Sequence, residues 1–286
     1  MLRACSISAT AAVILALFGV TAASGQQSST PIPADGGAAA QRLAASPRHG
    51  EWVDISLPGG ATKIKTWVVY PERKDKAPVV LVIHEIFGLT DWVRAVADQL
   101  AADGFIAVAP DLLSGKGPGG GGTESFQGDA VREAIRKLAD EEVAQRLNAV
   151  RDHAIKLPAA TDKTASIGFC WGGSASFAYA AAQPKLNAAV VYYGTAPAER
   201  DTLAKITSPV LGLYGEDDAR VNATLEATTA TMKELGKSFE QHMYDGAGHG
   251  FLRQSAPTER DGANQKAAQQ AWSRTIAFLR QHLEPR

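Results

Sequence analysis

The residues best placed to do chemistry surround Cys170, in the stretch TASIGFCWGG over residues 164–173. An apolar, β-prone run at residues 164–169 stops at the cysteine. Gly172 and Gly173 follow Trp171, and residues 175–182 are alanine-rich, with helical composition. Strand, sharp turn and helix in that order make a nucleophile elbow, which thrusts a reacting side chain out of a tight turn. The common form is G-x-S-x-G; here the spacing is G-x-C-x-G-G, so the nucleophile is a thiol. A helix N-terminus beneath the sulfur favours a thiolate, and later an oxyanion, through its free N–H groups and dipole. A lone cysteine is most often a small buried hydrophobe, but an ordinary core position does not need glycines on both sides.

A thiol nucleophile needs a base and a group that orients the base. Of six histidines, His249 lies in GAGHGF, a glycine-rich loop before the last helical segment. His84, at a strand end, is its rival; His49, His153, His242 and His282 lack comparable context. The orienting acid should follow the strand at residues 210–214, where Glu216, Asp217 and Asp218 stand in succession and spacing does not choose among them. Nucleophile, acid and base in that chain order match an acyl-transfer triad. The loop His84-Glu85-Ile86-Phe87-Gly88 follows another strand, and one of its backbone N–H groups together with that of Trp171 would form an oxyanion hole. A carboxylate beside a thiol opposes the thiolate, so on residue chemistry alone Glu85 is structural.

These groups need a scaffold that brings strand ends together. Residues 51–57 and 63–70 alternate polar and apolar around Pro58-Gly59-Gly60, the signature of a β-hairpin. Residues 77–84, 105–109, 188–193 and 210–214 are short apolar runs, as expected of strands covered on both faces. Helical segments are expected at residues 89–102, 129–157 (one long helix or a pair), 222–235 and 265–283, with a last strand at 238–244. This order predicts an α/β domain with a mostly parallel central sheet, an N-terminal antiparallel hairpin and helices on both faces. Its site should lie at the carboxyl ends of the strands. The run GKGPGGGG at residues 115–122 reads either as a mobile loop near that site or as a surface insertion.

The chain has 286 residues and a net charge of −1 with interspersed charges, so neither a nucleic-acid surface nor a basic lipid-binding face is expected. Residues 1–25 read as a secretory signal peptide, with Arg3, a short apolar core and small residues for cleavage. That implies a secreted or periplasmic protein with no stable membrane insertion after cleavage. Residues 26–48 read as a flexible leader and residues 49–286 as one domain. Once the peptide and its Cys5 are removed, Cys170 is the one remaining cysteine, and an exported protein that keeps an unpaired thiol calls for a reason.

Four motifs in order, HEIFGL, GFCWGG, GEDDARV and GAGHGF, resemble the dienelactone hydrolase (carboxymethylenebutenolidase) family from about residue 51 to the C-terminus. The resemblance implies an α/β-hydrolase fold, no cofactor and no metal. It also implies a triad of Cys170, Asp218 and His249, with Asp218 preferred because Gly215, Asp218 and Val221 satisfy G-x-x-D-x-x-V. Ile86 and Trp171 would supply the oxyanion amides. Glu85 would hold the resting thiol neutral and take its proton when substrate arrives. Family members clamp a substrate carboxylate with two arginines. Arg253 matches one, while the place of the other, after PDL at residues 110–112, holds no arginine and has Lys116 nearby. Lysine does not replace a bidentate arginine. Tyr193, at the end of its strand, joins Arg253 and Lys116 as an expected substrate-binding residue. The expectation is an exported hydrolase opening a small ester or lactone, anionic in character, through a cysteinyl acyl-enzyme. A general carboxylesterase with a different natural substrate, a non-catalytic binding protein, a redox thiol protein and a serine esterase using Ser174 or Ser176 are the alternatives.

Overall fold

A computed structural model describes residues 1–2, 31–60 and 62–284. The expected signal peptide falls, after its first two residues, outside the described ones. In chain order the elements are α1 (Ala39–Ala44), β1 (Gly50–Ser56), β2 (Lys63–Val69), β3 (Ala77–Ile83), α2 (Asp91–Ala102), β4 (Ile106–Pro110), α3 (Ala130–Arg136), α4 (Asp140–Ala154), β5 (Ala160–Phe169), α5 (Trp171–Ala182), β6 (Ala188–Tyr192), α6 (Arg200–Ala204), β7 (Val210–Gly215), α7 (Ala219–Asn222), α8 (Leu225–Glu234), β8 (Phe239–Tyr244) and α9 (Ala263–Leu283).

The strands form one sheet in the order β1-β2-β4-β3-β5-β6-β7-β8. β2 runs antiparallel to β1 and β4, and the remaining pairs are parallel. The continuous apolar runs become strands buried on both faces: every residue of β3, β4, β6 and β7 is buried. One core packs α2 and α9 against the sheet; the other packs α4 and α5, with Leu203 of α6 and Met232 of α8. The α9 helix is also pinned by a polar contact, the buried Trp272 indole N–H donating to Asp103 at 3.0 Å. Strand order reverses between β3 and β5, so their carboxyl ends flank the crevice where open α/β sheets bind ligands.

Three details depart from the expected layout. The helix expected at 222–235 starts later, as α8 at Leu225, and Asn222 instead ends the separate short helix α7, its side chain donating to the carbonyls of Gly215 and Glu216 at 2.9 Å each. The glycine run at 115–122 is folded back on itself, with the N–H groups of Gly115 and Gly117 both donating to the Gly121 carbonyl. Asp111 anchors its far end by accepting from the Thr123 backbone and hydroxyl at 2.7 Å. The third departure corrects the flexible leader. Residues 33–48 are packed on the domain: Ala39 is 1% exposed in the α2–α9 core, and Ile32 and Leu43 lie against the same cluster. Alanine, glycine and proline composition suggested disorder, but small side chains also let a segment lie flush on a finished core.

Candidate active site

Cys170 stands between β5 and α5 with φ 57° and ψ −118°, a positive-φ backbone that a residue with a Cβ rarely adopts. The glycines explain how the turn closes. A Cβ on Gly168 would overlap the Gly172 carbonyl, and one on Gly172 would overlap the carbonyls of Ile83 and His84. The helix therefore sits directly on the strand ends, and a buried hydroxyl pair, Ser166 with Ser176 at 2.8 Å, joins β5 to α5. Ser176 is thus occupied in the core, while Ser174 bonds Thr195 and lies off the apex.

His249 Nε2 lies 3.0 Å from Cys170 Sγ, and its Nδ1 lies 2.5 Å from Asp218 Oδ2. Burial lowers the imidazole pKa, but hydrogen bonds to Asp218 and Cys170 outweigh it and take the ring to about 9. The neighbouring acids are used elsewhere: Glu216 accepts the Gly246 N–H at 2.8 Å, and Asp217 pairs with Arg260. The choice among three consecutive carboxylates, which spacing left open and the family resemblance gave to Asp218, falls on Asp218 in the loop geometry. His84 is engaged on both ring nitrogens, Nδ1–H donating to the Glu85 carbonyl at 2.8 Å and Nε2 accepting the Leu112 N–H at 3.3 Å. It is fully buried, which lowers its pKa, and its ring stacks on Trp171.

Glu85 is 2% exposed. Burial raises its pKa to about 7 even though Arg253 and His249 draw it down. The structure brings it to Arg253 and shows no hydrogen bond from it to the thiol: Arg253 Nε lies 3.3 Å from Oε1 and 3.1 Å from Oε2. Arg253, expected to face substrate, is thus already paired, and its guanidinium lies 5.1 Å from the centre of the Phe87 ring. Arg132, of α3, stands 4.9 Å from the same ring centre. Tyr193 has φ 41° and is fully buried, with its ring edge-on to His249 at 5.1 Å. Its hydroxyl has no hydrogen-bond partner among the described residues. Burial first, then Glu85 and Cys170, push its pKa well up, so it stays a neutral phenol.

A cavity of about 380 Å³ opens at the thiol, lined by Ile86, Cys170, Trp171, Ser174, Tyr193, Thr195 and Val221, with Arg136 and Arg220. Ile86 and Trp171 are there as expected, and no turn or loop hydrogen bond among the described residues takes either backbone N–H. Lys116 is not brought to this site. Its ammonium pairs with Glu142 of α4 at 2.8 Å, and no residue of 115–122 lines the cavity, because the loop folds back toward α4. Arg136 and Arg220 were missed in the sequence. They are exposed, neither has an ion pair among the described residues, and nothing in the spacing around them points to the thiol. Arg220, two residues after Asp218, could have been found by asking which side chains share the loop with the acid.

A thiol therefore touches an imidazole that touches a buried carboxylate, at a helix N-terminus, beside unpaired cations. Such a chain of contacts can transfer an acyl group. Among the described residues no group of His, Cys, Asp and Glu could hold a metal ion, and no helix is long and apolar enough to cross a membrane.

Comparison with known proteins shows which family the chain resembles. A sequence profile of the dienelactone hydrolase family matches residues 64–283. A Yersinia pestis protein provisionally named carboxymethylenebutenolidase is 29% identical over 240 residues, covering 80% of this chain and 88% of its own. A protein of the same provisional name from Methylorubrum extorquens is 30% identical over 240 residues, covering 80% of each. A crystal structure from Klebsiella pneumoniae, provisionally named dienelactone hydrolase, superposes with a TM-score of 0.72 at 27% identity, covering 82% of this chain and 99% of that one.

Proposed function

We propose that this chain, which belongs to the dienelactone hydrolase family and is a hydrolase of carboxylic ester bonds, acts through a cysteinyl acyl-enzyme on an anionic ester or lactone. The observation that carries the reading is the continuous contact from Cys170 Sγ to His249 at 3.0 Å and on to Asp218 at 2.5 Å. Cys170 passes its proton to Glu85 and attacks the carbonyl, forming an S–C bond. The amides of Ile86 and Trp171 receive the oxyanion. Collapse breaks the C–O bond, and the leaving oxygen takes a proton from the His249 imidazolium. His249, oriented by Asp218, then removes a proton from water, whose oxygen attacks the thioester; the S–C bond breaks, the carboxylic acid leaves, and the Cys170 thiolate takes back its proton from Glu85.

Glu85 supplies the first proton acceptor in this reading. An anionic substrate competes with Glu85 for Arg253, and losing that guanidinium makes the buried carboxylate a stronger base. Arg136 and Arg220, unpaired on the cavity wall, favour the same charge on the substrate. The single thiol argues for an enzyme that guards its sulfur, and the sequence of residues 1–25 argues for export. Fractionating the cells that make it and sequencing the N-terminus of the protein recovered would reveal a chain retained in the cytoplasm with residues 1–25 uncleaved if that is mistaken.

The test is hydrolysis of a dienelactone and of p-nitrophenyl acetate, side by side, by the protein and by Cys170→Ala. Turnover of the dienelactone should be much faster, and the variant should turn over neither substrate. In Arg136→Gln and Arg220→Gln, KM for the anionic substrate should rise while the neutral acetate is unaffected. Acetate hydrolysis alone through Cys170 would keep the machinery and reject the lactone. Full activity of Cys170→Ala would reject the machinery.

A further inference from the structure

We propose that residues 33–48 form a strap whose contact at Gly36 positions Arg253 against Glu85, making the segment before the domain part of the active site's supporting structure. The inference rests on the role given above to Glu85, and goes beyond it by assigning a function to a segment outside the family match at residues 64–283.

The strap is fastened at both ends. At one end Ser46 donates to Asp98 of α2 at 2.5 Å, and Arg48 Nε donates to the same carboxylate at 3.0 Å, with Asp98 itself 3% exposed. In the middle Ala39 is buried in the core. At the other end the Gly36 N–H donates to the Arg253 carbonyl at 2.8 Å. A Cβ at Gly36 would come within 3.2 Å of Arg253 Cγ, so the absence of a side chain lets the strap lie against the arginine's stem.

Arg253 stands in the loop between β8 and α9, outside any strand or helix. Its carbonyl partner among the described residues is the strap, and its guanidinium partner is Glu85. The strap therefore fixes the backbone from which the guanidinium reaches the carboxylate. The side chain remains free to turn toward a substrate, and the strap sets where it returns. The charged and titratable groups facing Glu85 are Arg253 and His249 from that loop and Tyr193 from the end of β6. Arg253 alone of these makes an ion pair with it.

Gly36 is exposed and has no left-handed φ, so a substitution there opens no core and strains no backbone. The experiment uses the full chain and Gly36→Val, which crowds the Arg253 stem, alone and combined with Arg253→Gln. Arg42→Ala, elsewhere on the strap, is the control. The first readout is the acid limb of the acylation rate with p-nitrophenyl acetate. The second is the pH dependence of urea stability, which senses the Glu85 carboxyl without catalysis.

Gly36→Val should move both toward higher pH by about half a unit or more, a part of what a paired cation supplies. It should move neither any further in Arg253→Gln, since the coupled pair acts as one unit. Unchanged readouts in Gly36→Val, or a shift that adds in full to that of Arg253→Gln, would overturn the strap. A shift in the stability readout with an unmoved acid limb would keep the strap and instead remove Glu85 as the proton acceptor.

Discussion

Replacing Glu85 by Gln should stabilise the folded protein at alkaline pH while slowing its chemistry. The carboxyl is 2% exposed and burial raises its pKa from 4.5 to about 7. A group whose pKa is raised on folding favours the folded state while protonated. That stability is fully present below 4.5, and is lost as pH rises through about 7. The gap between 4.5 and about 7, at about 1.4 kcal/mol per pH unit, comes to about 3 kcal/mol. Glutamine has nearly the same shape and no such titration. In a Cys170→Ala background, which removes the thiol, urea unfolding with and without Glu85→Gln sets the baseline difference near pH 4.5. That difference should grow in favour of Glu85→Gln by about 3 kcal/mol by pH 8.5. With Cys170 restored, Glu85→Gln should acylate about 10²–10⁴ times more slowly. Stability curves that stay parallel from pH 4.5 to 8.5, to within about 0.5 kcal/mol, would show that Arg253 fully compensates the buried charge. Burial would then not govern this carboxyl, and the reasoning would be refuted.

Asp218→Asn keeps the loop's shape but removes the charge that, through its hydrogen bond, does most to raise the His249 pKa. The imidazole should titrate well below about 9, and kcat should fall by about 10²–10⁴ with little change in Tm. The pH dependence of iodoacetamide inactivation of Cys170 is the check. Gly168→Ala forces a methyl onto the Gly172 carbonyl. It should cost about 1–3 kcal/mol of stability and most of the activity, measured by urea unfolding and ester hydrolysis; wild-type behaviour would mean that the elbow can open.

The legible parts of this molecule are those in which a local pattern is tied to a backbone demand. The apolar runs at β3, β4, β6 and β7 announced buried strands because both faces of each are covered. The glycines around Cys170 and His249 announced tight turns for the same kind of reason. Asp218 was one of three adjacent acids: local chemistry did not choose among them, the family pattern favoured Asp218, and the physical reason lies in Arg260 and the Gly246 N–H, both remote in sequence, which occupy its neighbours. Lys116 was placed beside the site by proximity in sequence to β4, but the fold of its loop turns it to Glu142. Arg136 and Arg220 were invisible because each sits on a short helix with ordinary neighbours and meets the cavity only in three dimensions. The strap was hidden for a different reason: composition reports how much apolar surface a segment can bury alone, not how well it fits a surface already made.

Cys170 and Tyr193 end adjacent strands, and both have positive φ. Each such residue costs on the order of 1–3 kcal/mol, persisting only because its surroundings over-determine it. The thiol and the phenol ring beside the base are therefore held like a set spring by the sheet beneath them. Heating that loosens the ends of β5 and β6 releases the spring before the core melts. Ester hydrolysis should accordingly be lost some degrees below the unfolding transition, a separation that would vanish if the two backbones carried no strain.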